Sequence, residues 1–143
     1  MPLVERSALV MYSPAQMFAL VNDVARYPQF LPWCVEASVQ EVTAQERLAT
    51  LKVARGLLRT SFTTRNILQG DQEISMHLAE GAFRHLTGRW SFTAIANRGS
   101  RIDLKVDFEF KSSLTAAAFG SVFESVCTTM VDAFAARARQ VYG

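Results

Sequence analysis

Two histidines and two cysteines are the residues best suited to acid–base, nucleophilic or metal chemistry, and their placement argues against all three. His77 and His85 both fall on the polar parity of alternating segments, and no acid stands on the apolar parity of a strand to work with them. Cys34 and Cys127 lack CxxC or Cys/His spacing and have no basic neighbour, so neither a zinc site, a disulfide framework nor a thiolate nucleophile is signalled. Ser, His and Asp occur in no triad setting. The expected catalytic set and the expected metal set are therefore both empty. What remains is binding chemistry. Thr60 and Thr64 are hydroxyls on the otherwise apolar parity of their strand, able to donate to a ligand carbonyl or to backbone carbonyls. Trp90 shares that inward parity, where an indole either lines a ligand space or serves as ordinary core. Arg59, Arg65 and Arg89 fall on the outward parity, where guanidinium groups can meet nucleic-acid phosphates or simply a solvated face.

Charge supports the second kind of binding only locally. The chain has 143 residues, 15 Lys and Arg against 13 Asp and Glu, and a formal charge of +2. Residues 47–101 carry nine basic side chains against three acidic ones, a local +6 in the central strands and their turns. Half the residues are hydrophobic, and the mean hydropathy of +0.11 is high for so short a chain. Glu5 and Arg6 interrupt any leader, and no continuous apolar run approaches ~18 residues. The expectation is one domain over 1–143, without an integral membrane segment, in a reducing cytoplasm.

The elements follow from periodicity. Ile102, Leu104, Val106, Phe108 and Phe110 alternate with charged residues over 101–111, a strand with one wet face. Residues 84–95 repeat the pattern with Leu86, Gly88, Trp90 and Phe92 on one parity, and Asn97-Arg98-Gly99 reads as the hairpin between. Three further runs hold Ile74, Met76 and Leu78; Leu58, Thr60, Phe62 and Thr64; and Leu51 with Val53. Another strand is expected at Val35, Ala37 and Val39, and a first one over 3–12, where apolar residues mix parity. Ser13-Pro14 starts a short helix. From about Leu114 to Val141 the spacing becomes helical, with Phe119, Val122, Phe123, Val126, Met130, Phe134, Ala138 and Val141 on one stripe.

A run of antiparallel strands ending in one long helix can bury both apolar faces only if the sheet curves around the helix. The fold class is thus α+β, a curved antiparallel sheet of six to seven strands gripping a C-terminal helix. Ala116, Ala117, Ala118 and Gly120 are expected to face the large inner aromatics and leave an unfilled apolar space.

Several blocks carry a family resemblance. Val21-Asn22-Asp23-Val24, Tyr27 to Cys34, Phe62 to Asn66, Gly81 to Phe92 and Asp107 to Phe110 resemble the Coq10/RatA family of START-like proteins, polyketide cyclase-like in fold, along essentially the whole chain. One block departs: the family's Gly-Pro-Phe reads Gly81-Ala82-Phe83 here, losing the proline's fixed φ at that turn. The resemblance implies a helix-grip fold with a ligand tunnel. Combined with strand parity, that tunnel would be lined by Phe30, Trp33, Thr60, Phe62, Thr64, Met76, Phe83, Leu86, Trp90, Phe119 and Phe123, with Phe83 and Leu86 near its mouth. It implies ubiquinone or another isoprenoid lipid as ligand, held without catalysis in support of respiration, and no required cofactor. For the RatA-like branch it implies binding of the large ribosomal subunit that blocks subunit association, with Arg59, Arg65 and Arg89 as RNA contacts. The aromatase and cyclase members of the wider superfamily leave an enzyme as a further alternative.

Overall fold

The computed structural model describes residues 3–55, 58–96 and 98–143. The chain order is β1 (Leu3–Val10), α1 (Pro14–Asn22), a 3-10 helix (Val24–Gln29), β2 (Cys34–Glu41), β3 (Glu46–Arg55), β4 (Leu58–Gln69), β5 (Glu73–Glu80), β6 (Phe83–Ala94), β7 (Ser100–Phe110) and α2 (Ser113–Tyr142). All neighbouring strands pair antiparallel, in the order β1-β7-β6-β5-β4-β3-β2. This is the helix-grip arrangement expected, with seven strands. Asn97 of the expected hairpin and the side chains of Arg55 and Leu58 lie outside the described residues.

Local chemistry sets the boundaries. Ser13 and Gln16 form a reciprocal capping box, and Pro14 opens α1 where its missing N–H has no partner to lose. Pro28 keeps the following segment to a short 3-10 helix. Gly99 has φ +129, and a Cβ there would stand 2.0 Å from the Val10 carbonyl oxygen, so only glycine lets the β6–β7 turn lie against β1. Ser112 caps α2, its Oγ accepting from the Thr115 amide at 3.1 Å. At 30 residues α2 is about 45 Å long.

Three expectations about packing change. In β2 a bulge between Cys34 and Glu36 makes Val35 the extra residue, so Cys34, Ala37 and Val39 share the inner face while Val35 is 48% exposed. More consequentially, Ala116, Ala117 and Ala118 are exposed and do not face the sheet's aromatics. The first turns of α2 stand in solvent, with Leu114 exposed as well. The inner aromatics meet Phe123 instead: its ring lies 4.7 Å from Phe108, 4.9 Å from Phe83 and 5.7 Å from Phe62. A second aromatic group forms further along the helix, where Phe134 lies 5.3 Å from each of Tyr27, Phe30 and Trp90. By length and composition α2 would pass as a membrane span; in the fold its stripe from Val122 to Ala138 packs into the core. Val141, at the end of the expected stripe, is exposed.

Candidate functional site

Between the two aromatic groups lies an apolar cavity of about 70 Å³. Its lining takes Phe62 and Phe123 from the first group and Tyr27 and Trp90 from the second, with Met76, Leu86, Val126 and Met130 among the rest. Strand alternation delivers the sheet residues. Thr64, Met76, Leu86 and Trp90 all stand on the inner parity, and their cross-strand partners share that face. The helix contributes Phe123, Val126, Cys127 and Met130, spaced to fall on one side. Trp33 and Tyr27 close the remaining side from the 3-10 helix and the segment after it, so that connector is both packed core and cavity wall. Its backbone is pinned by Leu31 accepting from the Cys34 amide at 3.0 Å and Trp33 from that of Ala54 at 2.9 Å.

Of the residues expected to line a tunnel, Trp33, Phe62, Thr64, Met76, Leu86, Trp90 and Phe123 reach the cavity. Phe83 does not: it is buried and stacked on Phe110 at 4.7 Å, because the aromatic group closes where a mouth was expected. Phe30 packs outside against Phe134, with the Arg137 guanidinium 4.9 Å over its ring. Thr60 borders a shallow groove with Val35 and Lys52, since it precedes the stretch of β4 that lines the cavity. Phe119 is half-buried against the core, a turn short of the space.

Two polar groups interrupt the apolar wall. Thr64 is 6% exposed and Asn66 8%, and the Thr64 hydroxyl donates to Asn66 Oδ1 at 2.7 Å. Sequence reading missed Asn66, although it follows Thr64 by two positions and therefore shares its face. Among the described residues the wall contains no Asp, Glu, Lys, Arg or His. Its titratable groups are Tyr27 and Cys127. Burial raises both, the thiol to about 12, and the Tyr27 hydroxyl already donates to the Val21 carbonyl.

The nearest inward cation is accounted for. Arg47 pairs in register with Asn66, and its guanidinium reaches Glu41 at 3.2 Å. On the outer face, Arg65 contacts Glu46 at 3.1 Å and Arg89 contacts Glu73 at 3.8 Å, so two of the three candidate phosphate contacts already have carboxylate partners. Arg59 stands exposed about 20 Å along β4 from Arg65. His85 is also outward, 3.1 Å from Asp107.

Residues 10–135 match the family described as polyketide cyclase / dehydrase and lipid transport. The chain belongs to that family. Among curated members of similar sequence, the ribosome association toxin RatA of Escherichia coli is 44% identical over 142 residues, covering 99% of this chain and 90% of the relative. The mitochondrial coenzyme Q-binding protein coq10 of Schizosaccharomyces pombe is 31% identical over 141 residues, covering 93% and 84%. Among solved structures, the Zhui aromatase/cyclase superposes with a TM-score of 0.86 at 16% identity, covering 99% of this chain and 96% of that one. A START superfamily protein from Mycobacterium smegmatis gives 0.77 at 18%, covering 97% and 98%. At those identities the likeness establishes the START-like fold, and the resemblance to the Coq10/RatA proteins stands at the level of sequence.

Size is the informative property of this cavity. At about 70 Å³ it is less than half the ~150 Å³ of an apolar cavity that holds benzene. An apolar space is present, as expected from sequence, but it lies beside Trp90 and Met76.

Proposed function

We propose that the chain is a non-catalytic cytoplasmic carrier of an uncharged lipophilic ligand, an isoprenoid quinone of the ubiquinone type. The observation that carries this reading is a cavity walled almost wholly by apolar side chains, both tryptophans of the chain included, with one hydrogen-bonded polar pair inside it. The relative named as a coenzyme Q-binding protein supplies the ligand class. Because the cavity is smaller than one that holds benzene, the ligand enters by displacing the side chains that can move most readily. Met76 and Met130 are unbranched and adaptable, and half-buried Trp33 sits in a loop beside them. Binding is favoured over catalysis because Tyr27 and Cys127 stay protonated across the physiological range and, among the described residues, no acid–base pair converges in the wall. Mass spectrometry of a solvent extract of the purified native protein tests the reading. A stoichiometric quinone supports it; an extract without quinone, together with no saturable quinone binding, overturns it.

A second reading, ribosome association, is favoured by the 44% identical relative of that name and by Arg59, Arg65 and Arg89 on the outer face. It uses the face of the sheet opposite the cavity, so both functions fit one molecule. Co-sedimentation with large ribosomal subunits that weakens steeply as salt rises, and falls further in Arg59→Glu, supports a phosphate-mediated contact. Co-sedimentation indifferent to salt contradicts it.

A further inference from the structure

Along α2, Met130, Phe134 and Arg137 follow one another at helical spacing and so share a face. Met130 lines the cavity, Phe134 is fully buried, and Arg137 stands half-buried at the surface, about 10 Å further along the helix axis. The connector between α1 and β2 runs beside them. Its Val24, Tyr27 and Trp33 face the cavity, the Tyr27 and Phe30 rings each lie 5.3 Å from Phe134, and Gln29 meets Arg137. Outside this point lies a surface groove of about 250 Å³ whose lining includes Leu20, Asp23, Phe30 and Arg137. One seam therefore leads from the cavity to solvent.

The two sides of the connector are held differently. Toward the sheet the tie is backbone, the Ala54 amide of β3 donating to the Trp33 carbonyl at 2.9 Å. Toward α2, among the described residues, one hydrogen bond crosses the seam: Arg137 Nη2 donates to Gln29 Oε1 at 3.0 Å. The same guanidinium lies 4.9 Å over the Phe30 ring, and its Nη1 donates to Gln140 Oε1 at 3.4 Å.

From this we infer that the lipophilic ligand passes between the connector and α2, and that Arg137 is the positioning residue that latches this passage. The inference rests on the carrier reading above and adds the route by which an occupant larger than the cavity reaches it. Parting strands breaks a ladder of backbone hydrogen bonds. Parting this seam breaks one side-chain hydrogen bond and one cation–π contact and slides rings off Phe134. The other aromatic group, Phe62, Phe83, Phe108 and Phe123, is buried throughout, whereas Phe30 already stands half-exposed at the seam. The latch closes over a filled and an empty cavity alike. It therefore sets the barrier to passage and leaves affinity nearly unchanged.

Stopped-flow quenching of Trp33 and Trp90 fluorescence by a ubiquinone bearing one isoprene unit tests this on the full chain. Arg137→Ala should make association and dissociation each about ten-fold faster with the dissociation constant within about two-fold, the ratio expected for losing one hydrogen bond and one cation–π contact. Gln29→Ala removes the same bond from the exposed connector side and keeps the guanidinium over Phe30, so both rates should rise by a smaller factor. Arg139→Ala, two residues on and facing away from the seam, should leave both rates at wild-type values. Wild-type rates in both Arg137→Ala and Gln29→Ala, with quinone still bound, overturn the passage while the carrier reading survives. Weaker affinity at an unchanged association rate also overturns it, because Arg137 then supports the bound state and not the route. If the wild type binds no quinone, the carrier reading and the passage fail together.

Discussion

The Met76 methyl carbon lies directly over Gly88, so close that a Cβ on the glycine would stand 2.6 Å from it. The two residues pair across β5 and β6, and both line the cavity. The missing side chain at 88 is the recess in which the end of Met76 rests. How much of the cavity is open therefore depends on where a flexible thioether lies.

Gly88→Ala should drive that methyl group into the cavity. The expected result is quinone affinity reduced by about five-fold or more, with overpacking costing about 1–3 kcal/mol of stability. Met76→Ala should do the reverse. It removes about 2–4 kcal/mol of stability in urea denaturation yet strengthens binding, because the ring no longer has to displace the side chain. Titrations by quenching of Trp33 and Trp90 fluorescence read both; affinities that rise in the first variant or fall in the second contradict a Met76 plug.

Phe123 and Ala117 test where the helix meets the sheet. Phe123→Ala removes the ring shared by Phe62, Phe83 and Phe108 and should cost about 3–5 kcal/mol. Ala117→Leu, on the exposed first turns of α2, should change stability by less than about 0.5 kcal/mol. A large effect at Ala117 would mean those turns pack against the sheet.

The buried thiols give a pH prediction. Burial raises Cys34 to about 11 and Cys127 to about 12, so at pH 8 no more than about one thiol in a thousand is ionised, and iodoacetamide should label neither until the chain unfolds. Folding holds these protons more tightly than the unfolded chain, whose thiols titrate near about 8.5. The stability they contribute is complete below that pH and is lost as pH climbs toward the folded values. Urea midpoints should therefore be flat from about pH 6 to 8 and fall above about pH 9, less steeply in Cys127→Ala.

The architecture was legible in sequence because β7, and β6 after the irregularity between Phe83 and His85, alternate regularly and α2 keeps its helical stripe, so period assigned most faces and elements. The inner parity of β4 likewise found Thr64 and, extended two residues, would have found Asn66. Depth along a face was not legible. Phe83 and Trp90 share one strand and are both buried, yet only Trp90 reaches the cavity, because the packing of Phe110 and Phe123 over Phe83 is a three-element event that strand alternation does not encode. The same limit put Ala116 to Ala118 against the sheet: period gives the direction of a helix face but not where the sheet beneath it ends. In β2 a single bulge residue, Val35, altered which residues share the inner face.

Methyl NMR of protein labelled at the methionine ε-carbons, titrated with a one-isoprene ubiquinone, tests the central claim most directly. Met76 and Met130 line the cavity, whereas Met11 is 82% exposed at the end of β1. The account expects saturable shifts of the Met76 and Met130 methyl signals with Met11 unmoved. Shifts confined to Met11, or none at saturating quinone, would contradict it.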